Sequence, residues 1–165
     1  LLILALFLAS CVAPRGKNRG VDQIAVSDVG QSDCVAGNCK NGMGKLIFSS
    51  GANYSGCWKN GNYHGQGRYV DDSGVQYVGE WKDGLLNGHG TFTGNDSSFF
   101  VGQWKDGTRH GKGVLFEKNG EIKSGTWVKG SLQQTRTVEE VSRFLKNKYP
   151  QFTGFDSVTS SQTGK

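Results

Sequence analysis

Proline is nearly absent from this chain of 165 residues, which holds only two. That excludes collagen-like and polyproline architectures, which need it repeatedly. No apolar run reaches the roughly 20 residues that a membrane-crossing helix requires. The opening stretch, LLILALFLAS, ends at Ser10. Charge of one sign is also lacking where it would matter most. Residues 33–130 hold 11 Lys/Arg against 9 Asp/Glu, and the remainder of the chain's net +5 is divided between its two ends. Nucleic-acid binding calls for a concentrated basic stripe, so that class of partner is set aside. What the chain has in excess is glycine, 26 residues of it, more than double the usual share of about 7%. Each glycine weakens a helix by about 1 kcal/mol, which excludes a mainly helical fold. Aromatics reach 11%, too many for a disordered linker. The composition is that of a glycine-punctuated β protein with aromatic anchors.

Those glycines and aromatics are periodic. Gly56, Gly79, Gly102 and Gly125 recur every 23 residues, and so do Trp58, Trp81, Trp104 and Trp127, all the tryptophans in the chain. Gly61, Gly84, Gly107 and Gly130 keep the same period, as do the columns at Gly65 and Gly67. Stepping back from those last columns reaches Gly42 and Gly44, so a degenerate unit begins near Asp33. Three full units follow (54–76, 77–99, 100–122), and a truncated one ends at Gly130. Within a unit, Tyr54, Gly56 and Trp58 alternate and share one face of a strand. Lys59-Asn60-Gly61 is a turn, and Gly65-x-Gly67-x-Tyr69 opens a return strand. A glycine inside a strand marks close approach by another group, here a neighbouring ring. The expected fold is all-β, a stack of hairpins, because one such hairpin cannot bury its aromatic face alone. The repeat-core aromatics are Tyr54, Trp58, Tyr77, Trp81, Phe100, Trp104 and Trp127.

The segment Tyr77-Val78-Gly79-Glu80-Trp81-Lys82-Asp83-Gly84, followed by Asn87-Gly88-His89-Gly90, resembles the MORN (membrane occupation and recognition nexus) repeats. Phe100 to Gly107, followed by His110-Gly111-Lys112-Gly113, resembles them equally. The resemblance covers residues 33–130. It implies an elongated, twisted antiparallel meander used for protein scaffolding and, in some members, phospholipid contact. Two departures stand out. Lys123 replaces the aromatic that opens a unit, and Cys34-Val35 stands where Trp ends the strand elsewhere. Both ends read as worn capping units.

Ahead of the array, Leu8-Ala9-Ser10-Cys11 resembles the bacterial lipobox, a Leu and two small residues before a Cys. That resemblance implies a signal segment over residues 1–11, cleavage before Cys11, and acylation of its thiol and new amino group. Residues 1–10 carry no charge, and the single Met is Met43, so a few residues are expected to precede Leu1. Residues 12–32 mix polar, charged and small residues, and read as a flexible tether. After the array, residues 131–150 form a linker and an amphipathic helix. Thr137-Val138-Glu139-Glu140 has the form of a capping box, and Pro150 ends the helix. The helix is expected to pack over the last hairpin and cover an open sheet edge; the competing reading is a partner-binding helix. Residues 151–165 are Ser/Thr/Gly-rich and read as a disordered tail.

Catalytic and ligand chemistry find little footing. Two repeat units separate His64 from His110 by about 19 Å at the usual strand spacing, while metal ligands lie about 2 Å from their ion. No metal site is assigned. The stretch Gly61 to Gly67 runs from strand to strand and not into a helix N-terminus, so it is a turn and not a phosphate cradle. Cys57 beside His64 lacks a third orienting group. Its column also holds Glu80, Gln103 and Thr126, which marks a tolerant position. No catalytic residue and no cofactor are assigned, and the chain is read as a non-enzyme. Export permits disulfides. Cys34 and Cys57 would lie about 10 Å apart, too far to bond. Cys34 and Cys39 flank a short turn and are expected to bond, leaving Cys57 as a thiol. The expected protein is a bacterial cell-envelope lipoprotein, held to a membrane through Cys11. Its array offers a binding or scaffolding surface to another envelope protein. A peripheral module for anionic phospholipid is the alternative.

Overall fold

The computed structural model describes residues 32–150. The expected signal segment with Cys11, the tether up to residue 31 and the tail from residue 151 lie outside the described residues. Ten strands run in chain order: β1 (Ser32–Gly37), β2 (Asn41–Phe48), β3 (Asn53–Lys59), β4 (Asn62–Val70), β5 (Gln76–Lys82), β6 (Leu85–Thr93), β7 (Phe99–Lys105), β8 (Thr108–Phe116), β9 (Ile122–Val128) and β10 (Ser131–Thr135). One helix follows, α1 (Val138–Lys148). Each strand pairs antiparallel with the next, and the sheet stays open with β1 and β10 at its edges.

The turn chemistry sets this topology. Within the middle hairpins the chain reverses through Asn60-Gly61, Asp83-Gly84 and Asp106-Gly107, with both residues of each pair at positive φ. Two-residue loops of that kind match the right-handed twist of paired strands. Between units the chain turns through wider loops closed on themselves. Asp71 N–H donates to Val75 O at 2.9 Å, and the Asp71 carboxylate accepts from the N–H groups of Ser73 and Val75. The register slips once in each of these hairpins, next to Gly56, Gly79 and Gly102. Those bulges lie in the Cys57, Glu80 and Gln103 column.

The core lies on the aromatic face. Tyr54, Tyr77 and Phe100 are fully buried. Each meets the Trp of its own unit edge-on, at 5.1, 5.1 and 5.2 Å between ring centroids, and the Trp of the next at 5.5, 5.6 and 5.4 Å. The glycines make room for this stack. An added Cβ at Gly67, Gly90 or Gly113 would collide with the ring of Tyr54, Tyr77 or Phe100 respectively. Every tryptophan also satisfies its indole N–H in the same way. Trp58, Trp81, Trp104 and Trp127 donate to the carbonyls of Gly44, Gly67, Gly90 and Gly113 at 3.0–3.2 Å. One residue type therefore fills the core and bolts each unit to the one before it.

Two sequence expectations need correcting. The sheet does not stop at Gly130, because Ser131–Thr135, read as linker, forms the return strand of a further hairpin. Nor does α1 cover a sheet edge. It packs on the broad face opposite the aromatic core, against β8 and β9. Val141 and Leu145 of α1 are fully buried there with Val101 and Val114. The two strand valines pair across β7 and β8 and alternate with the core residues, so they point to the other face. The helix begins with the capping box: Thr137 Oγ1 accepts from Glu140 N–H, and the Glu140 carboxylate accepts from Thr137 N–H, both at 3.2 Å.

Candidate functional site

Each face of the sheet is a candidate surface. On the aromatic face, Tyr54, Trp58, Tyr77, Trp81, Phe100, Trp104 and Trp127 are all at most 8% exposed. They are consumed by packing, so the repeat's most distinctive side chains are not themselves a docking surface. Burial also pushes the hydroxyls of Tyr54, Tyr63 and Tyr77 well above the ordinary phenol range. These phenols stay neutral, and those of Tyr54 and Tyr77 serve as hydrogen-bond donors. Tyr54 Oη donates to Cys57 O at 2.9 Å and Tyr77 Oη to Glu80 O at 3.1 Å, each reaching the carbonyl at its own unit's bulge.

The opposite face is polar in the bulge column and differs from unit to unit. The sequence reading took this column as tolerant, and the contacts correct it. His89 Nδ1 lies 2.6 Å from Glu80 Oε1, and the Glu80 side chain occupies the space that a Cβ on Gly88 would need. In the next unit Gln103 Nε2 donates to Tyr149 Oη at 3.0 Å, while Gln103 Oε1 accepts from Lys112 N–H at 2.9 Å. Tyr149 stacks on the His89 ring at 4.1 Å. Glu80, His89, Gln103 and Tyr149 thus form one cluster that docks the C-terminal end of α1. The sequence marks none of them as partners, since the residue type changes down the column and Tyr149 lies outside the repeat.

His64, in the neighbouring column, is buried, with Nδ1 3.6 Å from Asp83 Oδ1. Burial holds its imidazole below the ordinary range, and Lys59 and Lys82 act the same way, against the opposing pull of Asp83. Among the described residues no group of three or more His, Cys, Asp or Glu side chains is placed to hold a metal ion.

Cys34 and Cys39 lie at the first hairpin, and Cys57 lies on β3 beside it. Cys34 and Cys39 form a disulfide with Cα atoms 6.0 Å apart. An added Cβ on Gly44 would press on Cys39 Sγ, so that glycine accommodates the bridge. Cys57 is buried with Sγ 3.5 Å from Met43 Sδ. It is disulfide-bonded, which corrects the expectation of an open thiol.

Comparison with known families agrees with this geometry. The chain carries three MORN repeats, matched at residues 54–76, 77–99 and 100–121. The matched region is β3 to β8 with the connecting loops, and the hairpins β1–β2 and β9–β10 extend the same sheet beyond it. No curated protein matches the chain.

Proposed function

We propose that this chain is a cell-envelope lipoprotein of bacterial type, anchored through acylated Cys11, whose sheet serves as a non-catalytic surface for binding or scaffolding another envelope protein. MORN repeats commonly mediate membrane or protein association. The observation that carries the proposal is their use here: three tandem repeats supply six of the ten strands of a broad open sheet. Its conspicuous aromatics hold the units together, so recognition falls to the residues around them. The Leu8-Ala9-Ser10-Cys11 motif at the end of an apolar run supports the anchor. Several acyl chains hold a protein far more firmly than one.

Cys11→Ala tests the anchor. The substituted chain should leave the membrane fraction after a high-salt wash, and the parent should stay. Mass mapping adds a sharper criterion. Cys57 is disulfide-bonded and Cys34 is bonded to Cys39, so an acylated Cys11 requires that Cys57 pair with a thiol from outside this chain. One thiol cannot be both thioether-acylated and disulfide-bonded, and Cys11 found in a disulfide would overturn the anchor. Crosslinking of the lipidated protein in its own envelope tests the scaffold and should capture a protein partner. The competing reading is a phospholipid module. It predicts that the Cys11→Ala chain binds anionic vesicles in a salt-sensitive way and captures no protein.

A further inference from the structure

One column of the aromatic face changes character in the last matched repeat. Trp58 pairs across its hairpin with Tyr63, Trp81 with Leu86, and Trp104 with Arg109. Tyr63 and Leu86 are buried core residues. Arg109 takes the same place with a charged head. Its guanidinium carbon lies 4.9 Å from the centroid of the Trp127 ring and 5.8 Å from that of Phe100. The cation therefore covers Trp127 much as Tyr63 covers Trp81 at 5.2 Å. Stacking satisfies the faces of a guanidinium but none of its five N–H donors. Among the described residues none accepts a hydrogen bond from this side chain or forms an ion pair with it. Burial lowers its pKa, and Glu117 partly opposes that.

The guanidinium opens onto a groove of about 630 Å³ between two connecting turns, lined by Asp96, Ser98, Arg109, Leu115, Glu117 and Lys118 among others. A volume of that order suits a small ligand or an inserted side chain. The two carboxylates in the groove are already engaged. Asp96 Oδ1 accepts from the Ser98 hydroxyl at 2.6 Å and from Ser98 N–H at 3.0 Å. Glu117 Oε1 is 2.7 Å from Lys123 Nζ. The fork of Arg109 is left for an acceptor from outside.

We propose that Arg109 anchors a site for a single carboxylate carried beside an apolar group, of the kind a partner protein offers as an acidic side chain or a chain terminus next to an aromatic or aliphatic residue. The planar fork of arginine matches a carboxylate with two parallel hydrogen bonds. Leu115 supplies an apolar wall. Inorganic phosphate carries no apolar group to place against Leu115, so it gains only the fork and should bind more weakly than the acid. The site rests on the protein-binding reading above and names the chemistry of its recognition.

The test is a titration of the full chain followed by NMR at the tryptophan indole N–H and arginine Nε–H signals. The probes are 3-phenylpropionate, 3-phenylpropionamide and inorganic phosphate. The acid should shift the Trp127 and Arg109 signals saturably and leave Trp58 unmoved. The amide should bind at least about tenfold more weakly, as expected for loss of a charge-assisted pair. Arg109→Leu should bind acid and amide alike. Arg109→Lys keeps the charge without the fork and should lose most of the preference, which covers the case in which the leucine variant folds poorly. Equal binding of acid and amide by the parent chain would overturn the proposal. So would full preference retained in Arg109→Lys, or phosphate binding as tightly as the acid. A crosslinking experiment that captures no protein defeats the scaffold reading and leaves this titration standing, and a failed titration leaves a captured partner standing.

Discussion

The first and last hairpins of the sheet both lack part of the repeat, and each is held by a different device. At the β1–β2 end, Val35 stands where a unit would carry Trp, and it is 51% exposed. With no indole to bury, this hairpin is closed by the Cys34–Cys39 bridge. At the β9–β10 end, Lys123 replaces the opening aromatic and pairs with Glu117 instead. Trp127 survives there, buried and bonded to Gly113 O, and α1 adds a second apolar cluster on the other face. A cross-link acts mainly by restricting the unfolded chain, whereas apolar burial acts in the folded state. One end should therefore yield to loss of its bridge and the other to loss of side-chain volume. The matched middle, where Trp81 and Trp104 each meet rings of their own unit and of the one before, should depend on ring volume most of all.

The largest effect should come from the middle. Trp81 touches Tyr54, Tyr63, Tyr69 and Tyr77, and Trp81→Ala should cost about 3–5 kcal/mol in urea melts. Its exposed neighbour Lys82 should cost less than about 0.5 kcal/mol on replacement by Ala. Among the described residues Trp127 has Phe100 as its one ring contact, with Arg109 above it, so Trp127→Ala should cost less than Trp81→Ala. Equal losses at the two tryptophans would erase the distinction between middle and end. Next in size is Leu145→Ala in α1, expected at about 2–5 kcal/mol. Hydrogen exchange should then quicken in α1, β8 and β9 while β3 to β5 stay protected.

These expectations show what could be read along the chain and what could not. A period of 23 fixes which residues share a column, and alternation fixes which share a face. Hairpins, turns and the aromatic core follow from that. The strand Ser131–Thr135 escapes because it carries neither Trp nor Gly. Its pairing depends on the register set by β9 and not on its own composition. The seat of α1 escapes for a related reason. Val101 and Val114 look like ordinary strand residues until the twist and pairing place them side by side on the back face. The bulge column misleads outright. Glu80 and Gln103 differ in type because each serves a different neighbour, His89 in one unit and Tyr149 in the next. Variation between copies marked specialisation there, not tolerance.

Removal of the Cys34–Cys39 disulfide sharpens the comparison from the other end. The bridge closes a loop with a sequence separation of 5, so the chain-entropy model gives about 2 kcal/mol. Replacing Cys34 and Cys39 by Ser, which removes this bridge and spares the bond at Cys57, should quicken exchange in residues 32–48 first and leave 77–113 and α1 as they were. Simultaneous loosening of both ends would mean that the two devices are coupled through the middle.

The smallest effect is a dependence on pH, and it belongs to the middle. Buried His64 has its imidazole held below the ordinary range of about 6.5 by burial, with Lys59 and Lys82 adding to this and Asp83 opposing it. A base whose pKa falls on folding binds fewer protons in the folded chain than in the unfolded one. Stability then rises with pH through that window. The contribution is complete above about pH 6.5 and is lost as pH falls toward the lower folded value. Urea midpoints should therefore drop modestly between neutral and mildly acidic buffer, and exchange in β3 to β5 should quicken before exchange at the bridged first hairpin. His64→Gln should flatten part of that slope, since glutamine keeps a polar group in the site without a titrating proton. An unchanged slope in the variant would assign the pH dependence to other groups. A slope of opposite sign in the parent would mean that Asp83, at 3.6 Å from Nδ1, outweighs burial.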